Sequence, residues 1–323
     1  MDPSAYKKLT TSRGFTYNYY NKAAEGSKPT LIFLHGFPSS SYDWRHQVAF
    51  FQPLGYGLIV PDMLGYAGTD KPTDPHAYIG SGLSADLVDI LDAEHVNKVI
   101  VVGHDMGSLV ASRFVDYHPD RIAALAFLAA AYIPAHTPED SFALVKLVHE
   151  MAGREVFGYQ LFMTSEGADK VIAEHFDSAF SLFFPSMPAL WVEHMGPMGA
   201  CEAWIRADKR SPAPAYITEE DKEHYRKVLL AGGFTAPLAC YRAMGLVDPK
   251  PVPEEAAVIN QPVFFAACKK DEICLPAIRH LTMGKRVKGP ATIQEFDADH
   301  WVYLSHVEEI NNALSGWLQG LKV

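Results

Sequence analysis

The chain is poor in cysteine. Only Cys201, Cys240, Cys268 and Cys274 occur among 323 residues, and none stands in a C-x-x-C frame. Neither a disulfide scaffold nor a thiolate metal framework is therefore expected; the thiols read as reduced, and the location as cytoplasmic. No N-x-S/T acceptor is present. The N-terminus, MDPSAYKK, lacks an apolar h-region, so no signal peptide is expected. Long hydrophobic runs are missing too. The longest, Ile122 to Ala135, is too short to span a bilayer and reads as a core strand. Positive charge is scarce: 28 Lys and Arg face 38 Asp and Glu, a net charge of −10. That balance disfavours nucleic acid and anionic membrane as partners. It says little about a small neutral substrate; a monomer or homodimer is expected.

What is present is globular. Apolar residues make up 48% and charged residues 20% of the chain, enough to bury a large core. Two strands are expected within residues 5–24, turning at Ser12-Arg13-Gly14. Apolar strands follow at Thr30 to Leu34, Tyr56 to Val60, Val99 to Val102 and Ile122 to Ala131. A helical stripe, Leu83, Leu87, Ile90 and Leu91, separates two of them. Such alternation predicts an α/β fold with a mainly parallel sheet. From Pro134 to Leu246 no buried strand is legible, and Met-, Phe- and Trp-rich helical segments take over. Strands resume at Pro262 to Ala267 and Ala291 to Phe296. A closing helix is expected from Ser305, with Ser305 and Glu308 at capping-box spacing and Ile310, Leu314, Trp317, Leu318 and Leu321 as its buried stripe. The organisation predicted is a core over 1–133 and 247–323, with a helical lid over 134–246.

The most informative stretch is KVIVVGHDMG, Lys98 to Gly107. A strand runs into a glycine turn and then a helix carrying Leu109, Val110 and Phe114. This is the nucleophile-elbow pattern with Asp105 at the tip in place of serine. A plain βα turn with Asp105 as N-cap is the alternative. A carboxylate with a reference pKa near ~3.9 is already ionised at neutral pH and needs no base to act as a nucleophile. Attack on an acyl carbon would give an unproductive anhydride. Attack on a saturated carbon bearing a leaving group gives an alkyl ester. The substrate class is then an epoxide or a carbon–halogen compound.

Ester cleavage requires a base and an oxyanion site. His300, between the last strand and the last helix, is the expected base; Asp271, after the PVFFAACKKD strand, is its orienter. Asp297 and Asp299 lie close enough in sequence to be alternative orienters. The loop His35-Gly36-Phe37-Pro38 reads as an oxyanion loop, with the backbone N–H of Phe37 acting beside that of Met106.

Together these pieces resemble the α/β-hydrolase-fold epoxide hydrolases of the soluble type. The resemblance rests on HGFP at 35–38, GHDMG at 103–107, Lys270-Asp271 and DHW at 299–301. The Asp62-to-Pro72 loop and Tyr42-Asp43-Trp44-Arg45 add to it. Within the lid, Tyr159 in FGYQLF and Tyr241 in CYRAM match the family's two tyrosine segments. The resemblance implies that these tyrosines hold and protonate the epoxide oxygen, that no metal or organic cofactor takes part, and that water is the second substrate. His35, Pro38, Leu161, Met163, Trp191 and Trp301 are expected to line an apolar pocket for a small apolar epoxide, with Phe180, Phe183 and Phe184 as further aromatics of the apolar lid. There are departures. Met106 stands where relatives often have Trp, Leu109 follows where haloacid-type relatives carry Arg, and Cys240 replaces the Trp before Tyr241. A haloalkane dehalogenase would use the missing Trp N–H to grip halide. That activity, and a non-catalytic ligand receptor on the same fold, are the alternative readings.

Overall fold

The protein is described here from a computed structural model covering residues 1–135, 138–252 and 258–321. Eight strands form one sheet: β1 (Tyr6–Thr10), β2 (Thr16–Lys22), β3 (Thr30–Leu34), β4 (Gly57–Pro61), β5 (Val99–His104), β6 (Ile122–Leu128), β7 (Val263–Cys268) and β8 (Ala291–Phe296). Their order is β1-β2-β4-β3-β5-β6-β7-β8. The β1–β2 and β2–β4 pairs are antiparallel, and the other pairs are parallel. The near-continuous apolar sequences of β3 to β7 follow from burial on both faces; β8, at the sheet edge, is mostly exposed. The opening hairpin turns where expected. Gly14 N–H donates to Thr11 O at 2.8 Å, and Gly14 has φ of +83°, a left-handed conformation that glycine takes without steric cost.

Helices α1 (Arg45–Phe51), α2 (Gly80–Ala93) and α3 (Met106–Tyr117) accompany the first strands. Between β6 and β7 the chain is a helical cap. It comprises α4 (Pro138–Ala152), α5 (Gly158–Thr164), α6 (Ala168–Glu174), α7 (Phe176–Phe183), α8 (Ala189–His194), α9 (Ala200–Arg206), α10 (Glu219–Gly232) and α11 (Thr235–Ala243). Then come α12 (Pro276–Arg286), α13 (Val302–Ser305) and α14 (Val307–Gly320). Cap and core share one apolar cluster, in which Phe37 packs edge-on against Phe183 at 5.2 Å and Tyr241 at 5.3 Å.

Two expectations are corrected. The strand from Ile122 stops at Leu128, because Ala129 turns to φ of +61°. The closing helix is broken: Ser305 ends α13, and α14 starts at Val307 with His306 as its N-cap. Ser305 Oγ bonds His306 Nδ1 at 2.9 Å, so the capping box does not form. The inward stripe survives at Ile310, Leu314 and Leu318, while Trp317 and Leu321 are only partly buried.

Candidate active site

The parallel order brings four strand ends together. Phe37 follows β3, Asp105 follows β5, Asp271 follows β7 and His300 follows β8. This is the carboxyl edge, where open α/β sheets place their sites. Asp105 adopts φ of +52° and ψ of −123°, a sparsely populated conformation that costs roughly 1–3 kcal/mol and lifts the side chain into the cleft. The flanking glycines make the turn possible. A Cβ on Gly107 would collide with the carbonyl of Leu34, and one on Gly103 would come within 2.8 Å of the carbonyl oxygen of Gly107. Gly36 is tighter against the chemistry: a Cβ there would strike the Asp105 carboxylate itself.

Asp105 Oδ1 accepts the Phe37 N–H at 2.9 Å, and Oδ2 lies 3.5 Å from His300 Nε2. Burial pushes the Asp105 carboxyl up. The hydrogen bond and charge of His300, with the Phe37 N–H, outweigh it and hold the pKa at about 2. Met106 opens α3, so its N–H belongs to the orphan donors of a helix start, at the positive end of the dipole.

His300 Nδ1–H donates to Asp271 Oδ2 at 2.6 Å. The other Asp271 oxygen accepts the N–H groups of Ile273 at 2.9 Å and Cys274 at 2.7 Å. Burial works against a charged imidazole. The Asp271 charge and the bonds to Asp105 and Asp271 overcome it and raise the His300 pKa well above its usual value. Asp271 is correspondingly lowered, against its own burial, by His300 and by the two backbone donors. The alternative orienters are engaged elsewhere. Asp297 is exposed and paired with Lys270 at 2.8 Å; Asp299 accepts the Trp301 N–H at 3.0 Å. Next to the nucleophile, His104 is fully buried and donates from Nε2 to the His300 carbonyl at 2.9 Å. Burial lowers its pKa to about 3, so it stays neutral.

Asp271, Cys274 and His300 offer ligand atoms within 4.8 Å of one another. Both Asp271 oxygens and the His300 Nδ1 are already spent on the bonds just described, so this donor set is committed to a proton-handling pair.

Above Asp105 lies a cavity between core and cap. Its floor holds Phe37, Pro38, Asp105, Ile273, His300 and Trp301, and its cap side holds Tyr159, Met163, Phe183, Trp191, Met195 and Tyr241. The Tyr159 and Tyr241 rings meet edge-to-face at 6.2 Å. Burial raises both phenol pKa values; the Asp105 charge adds to each, and Tyr159 adds to Tyr241. Both therefore remain proton donors at neutral pH.

The expected pocket residues Pro38, Met163, Trp191 and Trp301 are on this lining. Leu161 and His35 are not. Leu161 is 59% exposed, because α5 turns Tyr159, Phe162 and Met163 inward at i, i+3 and i+4 and leaves Leu161 on the opposite side. His35 is buried beneath the loop. Its Nε2 accepts the Met63 N–H at 2.9 Å and its Nδ1–H donates to Gly36 O at 2.9 Å, so it braces backbone rather than facing the cavity. Met195 and Ile273 were missed. Ile273 lies two residues beyond Asp271 on the same strand-end loop, a placement that could have revealed it; Met195 directly follows a six-residue helix with no readable period.

The two indole N–H groups on the cavity wall are occupied. Trp191 Nε1–H donates to Leu182 O at 2.7 Å and Trp301 Nε1–H to Phe183 O at 3.0 Å. With Met106 beside the nucleophile, no indole donor among the described lining residues points at a leaving halide.

Known proteins resemble this chain along nearly its whole length. The α/β hydrolase fold family matches residues 29–307. Epoxide hydrolase 3 of Siraitia grosvenorii is 31% identical, over 90% of this chain and 91% of that protein. Epoxide hydrolase A of Mycobacterium tuberculosis is 29% identical, over 94% of each. The crystal structure of epoxide hydrolase A from Mycobacterium thermoresistibile superposes with a TM-score of 0.80 at 28% identity, covering 98% of this chain and 99% of that one. An epoxide hydrolase from an endophytic Streptomyces gives a TM-score of 0.82 at 26% identity, covering 98% and 96%. By sequence and by fold, this chain belongs to the α/β-hydrolase-fold epoxide hydrolases.

Proposed function

We propose that the protein converts a small apolar epoxide and water into a vicinal diol through a covalent ester on Asp105. The observation that carries the reading is a carboxylate held as an anion against a backbone donor, facing two protonated phenols across an apolar cavity. Asp105 Oδ2 attacks a ring carbon from the face opposite the breaking C–O bond. Tyr159 or Tyr241 delivers its proton to the departing oxygen, which would otherwise leave as an alkoxide. Oδ1, already bonded to the Phe37 N–H, becomes the ester carbonyl oxygen.

Alkylation removes the Asp105 charge. One of the interactions that kept His300 protonated is then gone, and Nε2 can release its proton and act as a base toward water. Hydroxide adds to the Asp105 carbonyl carbon, and the Phe37 and Met106 N–H groups hold the oxyanion. Collapse expels the diol oxygen, which takes the proton from His300. The regenerated carboxyl group returns its proton to the tyrosinate, and His300 recovers from solvent the proton that Nε2 released to it before hydrolysis. No step calls on a metal or organic cofactor. The cap is read as residues 134–246 within a core of 1–133 and 247–323. The reduced-thiol composition supports a cytoplasmic location; none of the four cysteines is in a disulfide, and no helix among the described residues is long and apolar enough to cross a membrane.

The test is paired turnover. Diol from styrene oxide, with no halide release from a haloalkane of similar size, is expected. Halide release without diol would establish dehalogenation instead, and retention of the epoxide without turnover would establish a receptor.

A further inference from the structure

Asp43 is a buried carboxylate outside the reacting set. It is fully buried and accepts hydroxyl hydrogen bonds from three separate segments. Ser39 Oγ donates to Oδ2; Ser39 directly follows Pro38 in the loop that carries the Phe37 N–H. Tyr303 OH reaches the same oxygen at 3.5 Å, three residues beyond His300. Tyr225 OH donates to Oδ1 at 2.6 Å from α10 of the cap. Among the described residues no cation forms an ion pair with it, and the neighbouring Arg45 is bridged to Asp221 at 2.8 Å. Burying an ion is costly unless hydrogen bonds replace its water, and here all the replacement donors come from segments that carry or adjoin the site.

The surrounding contacts run the same way. Asp221 and Tyr225 lie four apart on α10, so one helix face meets Tyr42, Asp43 and Arg45 together. Tyr303 stacks on Trp44 at 4.4 Å. Tyr225 packs against Phe180 and Phe184 of the cap at 5.4 and 4.9 Å.

We propose that Asp43 is a positioning residue that holds the oxyanion loop, the His300 segment and the cap in one register. The inference rests on the two-step ester reaction set out above. That reaction divides the labour. Ring opening needs the cap tyrosines aligned on Asp105, whereas ester hydrolysis needs the Phe37 N–H and His300, both from the core. The arms of Asp43 are therefore separable by kinetics.

The experiment is rapid-quench intact-mass spectrometry under single turnover with styrene oxide, on wild type, Tyr225→Phe and Ser39→Ala. Each variant deletes one hydroxyl and keeps the surrounding packing. Tyr225→Phe is expected to slow ester formation about tenfold while ester decay stays within about twofold of wild type. Ser39→Ala is expected to slow decay by more than it slows formation. A lowered melting temperature with no such split, or equal effects on both steps in both variants, would make Asp43 merely structural and overturn the proposal. Wild-type protein that forms no ester removes the reaction scheme and this inference together. Wild-type ester with unsplit variants removes this inference alone.

Discussion

Asp271→Asn separates the two chemical steps most sharply. Asp271 Oδ1 accepts two backbone N–H groups, at 2.9 and 2.7 Å, and Oδ2 accepts His300 Nδ1–H at 2.6 Å. An asparagine has a single acceptor oxygen, and two backbone donors compete for it against one imidazole. The amide oxygen stays with the backbone, and the NH2 group turns to His300 Nδ1. Nδ1 must then accept, which moves the imidazole proton to Nε2, the nitrogen that faces Asp105. A protonated Nε2 cannot take a proton from water. Exchanging an orienting carboxylate for its amide lowers turnover about 10⁴-fold in hydrolases that use this logic, which is ~5.5 kcal/mol at ~1.36 kcal/mol per decade. The same loss is expected here for ester hydrolysis. Ester formation should fall far less, because an ionised Asp105 needs no base. Stopped-flow tryptophan fluorescence would follow both phases, with acid-quenched peptide mapping to count esterified Asp105. Equal loss in both phases, or hydrolysis slowed less than about tenfold, would refute the assigned role of Asp271.

Other consequences follow from single residues. Tyr159→Phe combined with Tyr241→Phe removes both acids and should slow ring opening by about 10²–10⁴; unchanged diol formation would take the tyrosines out of the mechanism. Gly36→Ala places a methyl group against the Asp105 carboxylate; displacement of this size should cost about 10²-fold or more in ester formation, with the melting temperature near that of wild type. An active Gly36→Ala enzyme would show that the loop yields. His35 links pH to stability. Burial lowers its pKa from 6.5 to about 4, so between those values the unfolded chain binds the extra proton. The stabilising contribution is complete above pH 6.5 and is lost as pH falls toward 4. Gln can accept from Met63 and donate to Gly36 but does not titrate there, so the fall of melting temperature between pH 6.5 and 4 should be shallower in His35→Gln; parallel curves would contradict the assignment.

Much of this organisation was readable from residues alone, and the parts that were not have physical reasons. β3 occupies the residues expected of it, because an apolar strand bounded by turn residues leaves few alternatives; β8, although mostly exposed, also falls on the expected residues. The position of Asp105 was readable because glycine spacing is demanded by collisions that any Cβ would cause. The pairing of His300 with Asp271 rather than Asp297 or Asp299 was open until the strand ends were seen together, since the distance between β7 and β8 ends is a tertiary fact. The cap was the least legible. Its helices around the cavity are six to nine residues long, too short for periodicity to say that Met163 faces inward and Leu161 outward. The break at His306 and the brace formed by His35 depend on side-chain bonds to neighbouring backbone and side-chain atoms that no local pattern announces. Asp43 looked like part of a family-like segment, and its three hydroxyl partners are spread from Ser39 to Tyr303.

The ester on Asp105 is the central claim, and His300→Gln tests it most directly. With the base removed, ring opening should proceed and hydrolysis should stall. Incubation with styrene oxide followed by intact-mass spectrometry is expected to show the protein heavier by one substrate mass, with the added mass on Asp105 after digestion. An unmodified His300→Gln protein, alongside wild type that forms diol, would contradict the account.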